Sequence, residues 1–338
     1  MTKPTILTII LNYRTPELTL RSAEAALREM ADLSGEILIV DNYSDDGSYN
    51  LIRDEAEARG WLKGHRVRLL QSPRNGGFGA GMNFGMMAGL SDGSQPDYYY
   101  LLNSDAFPEA KAIQHLRDFL TTNPSAGMVG SYVQGVDGTP HATAFRFPSI
   151  AGEFEGAVRT GIISRLLKSS IVALPIPEQE TQVDWTAGAS LMIRRQVIEE
   201  IGGFDETFFL YFEETDLCRR AARAGWPTHY LPCSKVQHLG SASTGMKEWA
   251  RAPSYWFDSR MHYFCKNHGG LYAAAATLAL LAGGLLWRLR VMISSKTRRD
   301  PPHFLRDLIA HAIRCIPNIG KRAVLEPKLA LRHPEDLK

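Results

Sequence analysis

The chain has the composition of an ordinary globular protein. It contains 338 residues, 44% of them apolar and 22% charged, and its formal net charge is +2. This length accommodates one large α/β domain with an extension, or two modest domains. The apolar and charged fractions exclude an intrinsically disordered chain and a polytopic membrane protein. The small net charge gives no reason to expect a nucleic-acid partner.

The cysteines and the first apolar run both indicate a reducing, cytoplasmic setting. The four cysteines, Cys218, Cys233, Cys265 and Cys315, lack the short spacings of zinc sites and are too few to cross-link a chain of this size. The apolar run at residues 6–11 is too short for a signal peptide and leads directly into a patterned domain. We therefore expect a cytoplasmic protein.

The N-terminal part alternates predicted strands and helices. Short β-branched runs predict strands at residues 5–11, 36–40, 67–70 and 98–102. Helical periodicity predicts helices at residues 17–30 and 48–59. Thr15 is a candidate N-cap with Pro16 at the first helical position, and a glycine-rich loop at residues 74–81 opens a third helix that runs to Gly89. Such units predict a mostly parallel sheet flanked by helices, which binds ligands at the carboxyl ends of its strands.

The middle of the chain continues this α/β pattern less regularly. Strand-like sequence runs from residue 127 to 149, and residues 153–177 are irregular or helical. The pattern then predicts, in order, a loop and strand at 183–193, a helix through 201, a helix at 214–225, and strands at 228–231 and 236–240. These elements complete what we predict to be one domain, residues 1–245.

The C-terminal residues, 246–338, differ in composition and are predicted to form a helical extension. Residues 249–268 are aromatic-rich, and residues 269–287 carry no charge and are rich in Ala and Leu. The uncharged run is slightly short against the roughly 20 residues that span a bilayer. It is followed by basic residues, Arg288, Arg290, Lys296, Arg298 and Arg299. The alternatives are a helix packed on the first domain and an interfacial membrane contact, and we expect the second. These helices also offer a surface for a homodimer.

Acidic residues lie at three predicted strand ends or helix starts: Asp41, Asp105, and the cluster at residues 213–216. A nucleotide-sugar enzyme needs an acceptor for the base or ribose, a carboxylate that holds a divalent cation against the diphosphate, and a general base. Hard oxygen ligands suit Mg²⁺ or Mn²⁺. The structural alternative is that these short polar side chains cap loops and helix N-termini.

Seven short motifs occur in a fixed order along residues 5–244, and together they are far more specific than any one alone. They are Leu11-Asn12-Tyr13; Val40-Asp41-Asn42-x-Ser44-x-Asp46-Gly47-Ser48; Asn75-x-Gly77-Phe78-x-x-Gly81-x-Asn83; Leu101-Leu102-Asn103-Ser104-Asp105; Gly188-Ala189-x-Leu191-x-Ile193-Arg194; Gly202-Gly203-Phe204-Asp205-Glu206; and Phe212-Glu213-Glu214-x-Asp216-Leu217-Cys218-x-Arg220. The set resembles family 2 glycosyltransferases of the GT-A fold, in the rhamnosyltransferase-like and galactofuranosyltransferase-like branch. The resemblance implies a Rossmann-like, GT-A-type α/β fold with the C-terminal helices as an extension.

The resemblance implies a site for a nucleoside-diphosphate sugar in the first half of the chain. Asp41 corresponds to the carboxylate that recognises the base. The implied donor-site residues are Asn12, Tyr13, Asp41, Asn42, Asn75, Gly79, Asn83, Asn103, Ser104 and Asp105. The glycines near Gly79 are spaced GxGxG and follow the third strand unit, so they do not match a dinucleotide fingerprint. We expect them to let the backbone approach the donor.

Residues 103–105 occupy the DXD position of the family, with Asn103 in place of the first acid. Asp105 therefore carries the charge of the motif alone, and the resemblance implies that His238 completes a Mg²⁺ or Mn²⁺ site. The structural alternative is that the His238 ring makes hydrogen bonds only with other groups of the protein. For Asp105 it is a cap on the following helix.

The acidic cluster resembles the motif that carries the catalytic base. We assign the base to Glu214, with Glu213 and Asp216 as the other catalytic acids. Acids this close together should raise one pKa by mutual repulsion, which helps a base to work near neutral pH. Trp185 and Gly188 lie on a segment that faces the acceptor sugar in the family. A tryptophan buried in the core is the alternative for Trp185.

The sequence thus predicts an inverting glycosyltransferase. Its expected donor is a dTDP-rhamnose-like or UDP-sugar, and its expected acceptor is a glycan or lipid-linked saccharide in surface polysaccharide synthesis. We expect a peripheral location at the inner face of the cell membrane. One alternative is a sugar nucleotidyltransferase, but residues 11–15 do not form the glycine-rich activation loop that such an enzyme would carry after its first strand. The other is a non-catalytic nucleotide-sugar-binding module.

Overall fold

The computed structural model describes residues 3–240, 249–293 and 300–315, apart from the side chain of His65. The strands are β1 (Thr5–Asn12), β2 (Ser34–Asp41), β3 (Val67–Gln71), β4 (Tyr98–Asn103), β5 (Ala106–Pro108), β6 (Met128–Gln134), β7 (Pro140–His141), β8 (Ala144–Phe145), β9 (Thr181–Val183), β10 (Trp185–Thr186), β11 (Ser190–Arg194) and β12 (Thr228–His238). The α-helices are α1 (Pro16–Glu29), α2 (Ser48–Ala58), α3 (Gly77–Ala88), α4 (Ala112–Thr122), α5 (Ile150–Val158), α6 (Gly161–Leu166), α7 (Arg195–Ile201), α8 (Glu213–Arg223), α9 (Ser254–His268), α10 (Gly270–Met292) and α11 (Phe304–Cys315). Short 3₁₀ turns lie at Lys63–His65 and Lys168–Ser170.

The N-terminal half of the sheet is parallel, in the order β3-β2-β1-β4. The apolar residues of β1, β2 and β4 are buried because α1 and α2 lie on one face and α3 on the other. The register pairs Asn12 with Asp41, and Asp41 with Gln71. The carboxyl ends of these strands therefore place three polar side chains in a row at one edge of the sheet.

The other half of the sheet is mixed. Strand β11 runs antiparallel between β4 and β6, and β12 pairs parallel with β6 and antiparallel with β5. The prediction of two strands at residues 228–240 was wrong in one respect, because β12 is continuous. Its register shifts between Leu231 and Lys235, a segment that contains Pro232, which has no N–H to donate to a ladder.

The glycine-rich segment at residues 77–81 was predicted to be a loop, but it forms the first turns of α3. Gly77 has φ +87°, and a Cβ there would overlap the carbonyl oxygen of Phe209. A Cβ at Gly81 would overlap the side chain of Leu11 on β1. These two glycines allow α3 to lie directly against the sheet and against the chain that leads into α8.

The C-terminal helices pack against the α/β part of the protein. Tyr263 and Phe264 of α9 are buried with Phe208, and α10 runs along α5, where a Cβ at Gly283 would lie 2.7 Å from the carbonyl oxygen of Phe154. Helix α9 begins at residue 254 rather than 249. The predicted boundary between residues 245 and 246 lies outside the described residues. So do residues 241–244, the end of the stretch that contains the seven motifs, and three basic residues, Lys296, Arg298 and Arg299.

Replacing Gly77 by alanine tests the close approach of α3 to residue 209. Gly60 is the matched control, because its φ is +70° but nothing lies within 4 Å of an added Cβ. Gly60→Ala should cost about 1 kcal/mol, the usual penalty of a side chain in the left-handed region. Gly77→Ala should cost clearly more, because it adds a steric overlap to that penalty. Urea unfolding of the two variants measures the difference, and equal losses of unfolding free energy would show that this contact relaxes freely.

Candidate active site

Asp41 is held at the carboxyl edge of the sheet by three hydrogen bonds. Its Oδ1 accepts from Asn12 Nδ2 at 2.7 Å, and its Oδ2 accepts from Gln71 Nε2 at 2.9 Å and from the Ser44 N–H at 3.1 Å. The amide oxygen of Asn12 in turn accepts from the Thr19 hydroxyl at 2.8 Å. Both amide ends of Asn12 are thus engaged within the protein, and Asn12 fixes the orientation of the Asp41 carboxylate. Its own contact with a donor stays a prediction.

Sequence reasoning missed Gln71. The predicted strand ended at residue 70, whereas β3 extends one residue further and pairs with Asp41. Extending each predicted strand to its first polar residue would have found Gln71, because neighbouring parallel strands end at the same edge.

Asn42 and Asn75 form a second polar pair beside Asp41. The Nδ2 of Asn42 donates to Asn75 Oδ1 at 3.0 Å and to the Gly77 carbonyl at 3.1 Å. The buried Oδ1 of Asn42 has no hydrogen-bond partner among the described residues. An acceptor left without a donor in a buried position is costly, which is consistent with a donor group supplied by a ligand. Tyr13 lies nearby under the guanidinium of Arg14, 5.2 Å from its ring centre.

The structure gives Asn83 and Gly79 packing roles, and we do not propose them as ligand contacts. Asn83 is fully buried; its Nδ2 donates to the Phe204 carbonyl at 2.9 Å and its Oδ1 accepts from the Phe204 N–H at 2.8 Å. A contact with a donor sugar would break this pair of bonds. Gly79 lies inside α3, where a Cβ would be 2.9 Å from that of Phe204.

Residues 103–105 lie beside His238. The pairing of β5 with β12 sets His238 opposite Ala106, and its Nε2 lies 3.0 Å from Asp105 Oδ1 and 3.4 Å from Asn103 Nδ2. Ser104 shares a hydrogen bond with the hydroxyl of Thr15 at 3.1 Å. Asp105 and His238 are therefore close enough to bind one ion together.

Asp105 and His238 could hold a divalent cation only if a bound nucleotide and water supplied the remaining metal ligands. Among the described residues, no group of three or more His, Cys, Asp or Glu side chains could hold a metal ion. One carboxylate and one imidazole leave most of a coordination shell to phosphate oxygens and water, as is usual for metal ions bound together with nucleotides. An imidazole ligand suits transition metals better than Mg²⁺, so the pair favours Mn²⁺.

Glu213 and Glu214 occupy the first turn of α8, and both carboxyl groups are buried. Burial raises the pKa of Glu213 well above its usual range, and the neighbouring charge of Glu214 raises it further. Burial also raises the pKa of Glu214, but hydrogen bonds from backbone groups, including that of Gly188, oppose the rise. The mutual repulsion predicted from sequence therefore operates on Glu213 but is secondary to burial. The interaction with Gly188 favours the ionised form of Glu214, which is consistent with its assignment as the base.

Two consecutive residues connect Glu214 to residues 103–105. Gly188 contributes a backbone hydrogen bond to the Glu214 carboxylate, and the carbonyl of Ala189 accepts from the Asn103 N–H at 3.1 Å. One short segment thus contacts both the carboxylate that we assign as base and the Asn103 backbone, although residues 214 and 103 are more than a hundred positions apart in sequence.

Trp185 lies on the same segment as Gly188. Its ring stacks on Phe145 with 4.1 Å between ring centres, and its Nε1 donates to the Arg146 carbonyl at 2.9 Å. The ring is half-buried. Its contact with an acceptor stays a prediction, as does that of Gly188.

Asp216 belongs to an ion-pair cluster, so we withdraw its catalytic assignment. It is fully buried and accepts from Arg220 Nε at 2.9 Å, Lys266 Nζ at 2.8 Å and Asn267 Nδ2 at 2.9 Å. Burial opposes ionisation, but the charges of Arg220 and Lys266 outweigh it and lower the pKa of Asp216. A carboxylate with a lowered pKa and three donors cannot readily take a proton.

The same cluster includes Asp205, which accepts from Lys266 Nζ at 2.7 Å and from His262 Nε2 at 2.9 Å. Burial would raise the pKa of Asp205, but the bonds from His262 and Lys266 more than offset it and the pKa is lowered. Lys266 thus bridges two buried carboxylates, one before α8 and one on it. This bridge fastens α9 to the helix that carries Glu214.

Comparison of the amino-acid sequence with known proteins identifies the family of the chain. The model of glycosyl transferase family 2 matches residues 5–173, which are half of the chain, and that of glycosyl transferase family group 2 matches residues 159–319. The chain belongs to glycosyl transferase family 2. The N-acetylglucosaminyl-diphospho-decaprenol L-rhamnosyltransferase of Mycobacterium tuberculosis is 29% identical over 273 residues, 78% of this chain and 85% of that protein. The family and the rhamnosyltransferase-like resemblance predicted from sequence are confirmed, and the protein is a glycosyltransferase.

Solved structures show the fold of this glycosyltransferase. GalNAc-T7 with UDP, GalNAc and Mn²⁺ aligns with a TM-score of 0.55 at 12% identity, over 92% of this chain and 55% of that one. The mannosyltransferase PcManGT of Pyrobaculum calidifontis, in complex with GDP-Man and Mn²⁺, aligns with a TM-score of 0.51 at 14% identity, over 93% of this chain and 87% of that one. The predicted GT-A-type α/β fold with C-terminal helices is confirmed.

Lys266→Met tests the bridge between α9 and α8. Removing the cation leaves two buried carboxylates without their shared partner. We expect the free energy of unfolding to fall by about 2 kcal/mol, less than for a fully buried pair because the Lys266 side chain is 20% exposed. Urea unfolding at neutral pH is the measurement. The exposed Lys63→Met is the control and should change stability by less than about 0.5 kcal/mol. Equal effects of the two substitutions would mean that the bridge contributes nothing.

Proposed function

We propose that this glycosyltransferase transfers a sugar with inversion from a dTDP-rhamnose-like or UDP-sugar donor to a lipid-linked saccharide, in surface polysaccharide synthesis. The observation that supports the proposal is the connection through Gly188 and Ala189, two consecutive residues of which one interacts with the Glu214 carboxylate and the other bonds to Asn103. The name of the mycobacterial relative supports rhamnose as the sugar and a polyprenyl-diphosphate saccharide as the acceptor.

Glu214 is the general base in this proposal. It accepts the proton of the acceptor hydroxyl as that oxygen bonds to the anomeric carbon and the bond from this carbon to the diphosphate oxygen breaks. The nucleoside diphosphate leaves with the bonding electrons, and Glu214 then loses its proton to solvent. Glu213, whose pKa is raised further, remains protonated and prevents a second negative charge in the same buried turn.

The diphosphate end of the donor would lie at residues 103–105. Asp105 and His238 would hold Mn²⁺ or Mg²⁺, and such an ion neutralises charge on the leaving diphosphate. Asp41, oriented by Asn12 and Gln71, would accept hydrogen bonds from the base. The unpaired Oδ1 of Asn42 would accept a further donor group of the nucleoside.

Isosteric glutamine variants separate the roles of the two glutamates. Glu214→Gln should lower kcat by at least 100-fold, because a general base typically contributes that much or more. Glu213→Gln should keep kcat within several-fold, because glutamine reproduces the neutral form of that side chain. The assay measures release of nucleoside diphosphate from dTDP-L-rhamnose and from UDP-sugars, with an N-acetylglucosaminyl-diphospho-polyprenol acceptor. Equal losses in the two variants would contradict the assignment.

The same assay decides between the classes of protein. Formation of pyrophosphate from a nucleoside triphosphate and a sugar phosphate would identify a nucleotidyltransferase. Binding of donors without release from any of them, with every acceptor offered, would identify a binding module. Release that requires both a donor and the lipid-linked acceptor supports the proposal.

The pH dependence of kcat reports the ionisation of Glu214. Its pKa is raised in the folded protein, so the base is protonated, and activity is lost, as pH falls through a value above the ordinary glutamate pKa of about 4.3. We expect the acid limb of the profile to lie above that value. A limb at or below the ordinary value, under conditions where the protein stays folded, would show that another group is the base.

The roles of Asp105 and His238 can be tested by titrating dTDP with and without Mn²⁺ in a calorimeter. Mn²⁺ should tighten dTDP binding to the wild type at least tenfold. That enhancement should disappear in Asp105→Asn and shrink in His238→Ala. His229→Ala is the control, because His229 pairs with Glu180 instead, and it should keep the full enhancement. An enhancement in Asp105→Asn equal to that of the wild type would exclude Asp105 from the metal site.

A further inference from the structure

Helix α10 presents an exposed face that is apolar along its whole length. Its exposed large side chains are Leu271, Leu278, Leu285, Leu286, Leu289 and Met292, with exposures between 48% and 87%. Ala282 is the other exposed residue of the helix, and the first residue after it, Ile293, is also exposed. A surface helix of a soluble protein normally carries charged and polar residues on this side. An exposed apolar strip of this length marks a site of contact with another apolar phase.

The buried face of α10 carries the small residues instead. Ala273, Ala276, Gly283 and Gly284 are buried, and the two glycines permit close contact with other helices. A Cβ at Gly283 would lie 2.7 Å from the Phe154 carbonyl of α5, and one at Gly284 would lie 2.8 Å from the side chain of Leu305 on α11. Helix α10 is therefore clamped along its length to the folded protein. It has the length and mean hydropathy of a membrane span, but its inner face is fixed to the enzyme.

Helix α6 lies near the C-terminal end of α10 and also exposes apolar side chains. The two helices are linked by Arg290, whose Nη1 donates to the Thr160 hydroxyl at 2.8 Å. On α6, Ile162 and Leu166 are 69% and 75% exposed. The exposed Arg165 lies between them in sequence. Large apolar side chains beside exposed cations are the composition of a surface that rests in the headgroup region of a bilayer.

We propose that α10 lies parallel to the membrane plane, with its exposed leucines and the apolar residues of α6 inserted in the bilayer surface. The exposed Arg165 and Lys168 then contact anionic lipid headgroups. The proposal rests on the proposed function to the extent that a lipid-linked acceptor must be met at a bilayer. It does not depend on the identity of the donor sugar.

The charges favour a lipid surface over a second copy of the chain. Within α10, residues 270–287 carry no charge, and the basic residues follow at its C-terminal end. If two copies paired through this face, the exposed Arg165 and Lys168 of one would meet either the same basic residues or the uncharged part of α10 on the other. Anionic headgroups would neutralise these residues, and the bilayer would cover the leucines as well.

Flotation of the full-length protein with lipid vesicles tests the proposal. Wild type should float with vesicles that contain phosphatidylglycerol, and less with pure phosphatidylcholine. The double variant Leu285→Asp/Leu289→Asp should lower the bound fraction at least tenfold. The control Val136→Asp, at an exposed apolar residue in the turn between β6 and β7, should bind like wild type. Circular dichroism and dTDP binding of each variant report whether the fold and the donor site are intact.

Other occupants of the face would give different results. Wild type that does not bind vesicles but forms dimers by light scattering, which the double variant abolishes, would overturn the proposal in favour of a second copy. Vesicle-bound protein that resists alkaline carbonate extraction would overturn it in favour of a membrane-spanning helix. The protein could bind vesicles through Leu285 and Leu289 and yet release nucleoside diphosphate from no donor. That result would refute the proposed reaction but support the membrane-binding surface.

Discussion

The proposed reaction depends on keeping two adjacent carboxyl groups of α8 largely out of water. Burial raises the pKa of both Glu213 and Glu214, so two negative charges in this one turn are disfavoured. The surroundings of this turn maintain that condition. Helix α3 packs close to this turn at its glycines, and Gly188 supplies a backbone hydrogen bond to the Glu214 carboxylate.

The ion-pair cluster beneath α8 explains why helices outside the α/β fold belong to the same folded unit. Lys266 on α9 neutralises Asp205 and Asp216 at once, and Arg260 on the same helix, itself almost fully buried, pairs with Glu153 of α5. Because α10 packs on α5 and α9 packs on α8, the apolar outer face of α10 has a fixed orientation relative to the catalytic turn. A surface that rests on a bilayer would therefore also set the height of the active site above it.

The sequence predicted the strands and the residues at their ends more fully than it predicted the contacts of individual polar side chains. The alternation of strands and helices alone predicts that Asn12 and Asp41 lie together at the carboxyl edge of the sheet. Asn83 and Asp216 lay within motifs that pointed to ligand and catalysis, yet both are saturated by bonds inside the protein. A motif records which residue types occur together, but two acids two positions apart on one helix can have different surroundings: Glu214 interacts with the Gly188 backbone, whereas Asp216 pairs with Lys266.

The sequence by itself determined the class of fold, the family, and the presence of carboxylates at three strand or helix ends, because hydrophobic periodicity and local motifs are written in consecutive residues. Only the tertiary structure decided which of those carboxylates are neutral, which are paired, and which meet. The bridge from Glu214 through Gly188 and Ala189 to Asn103, and the cation that Lys266 supplies from α9, join residues that are distant in the chain. Burial and pairing between distant segments set the pKa of each acid, and no local pattern contains that information.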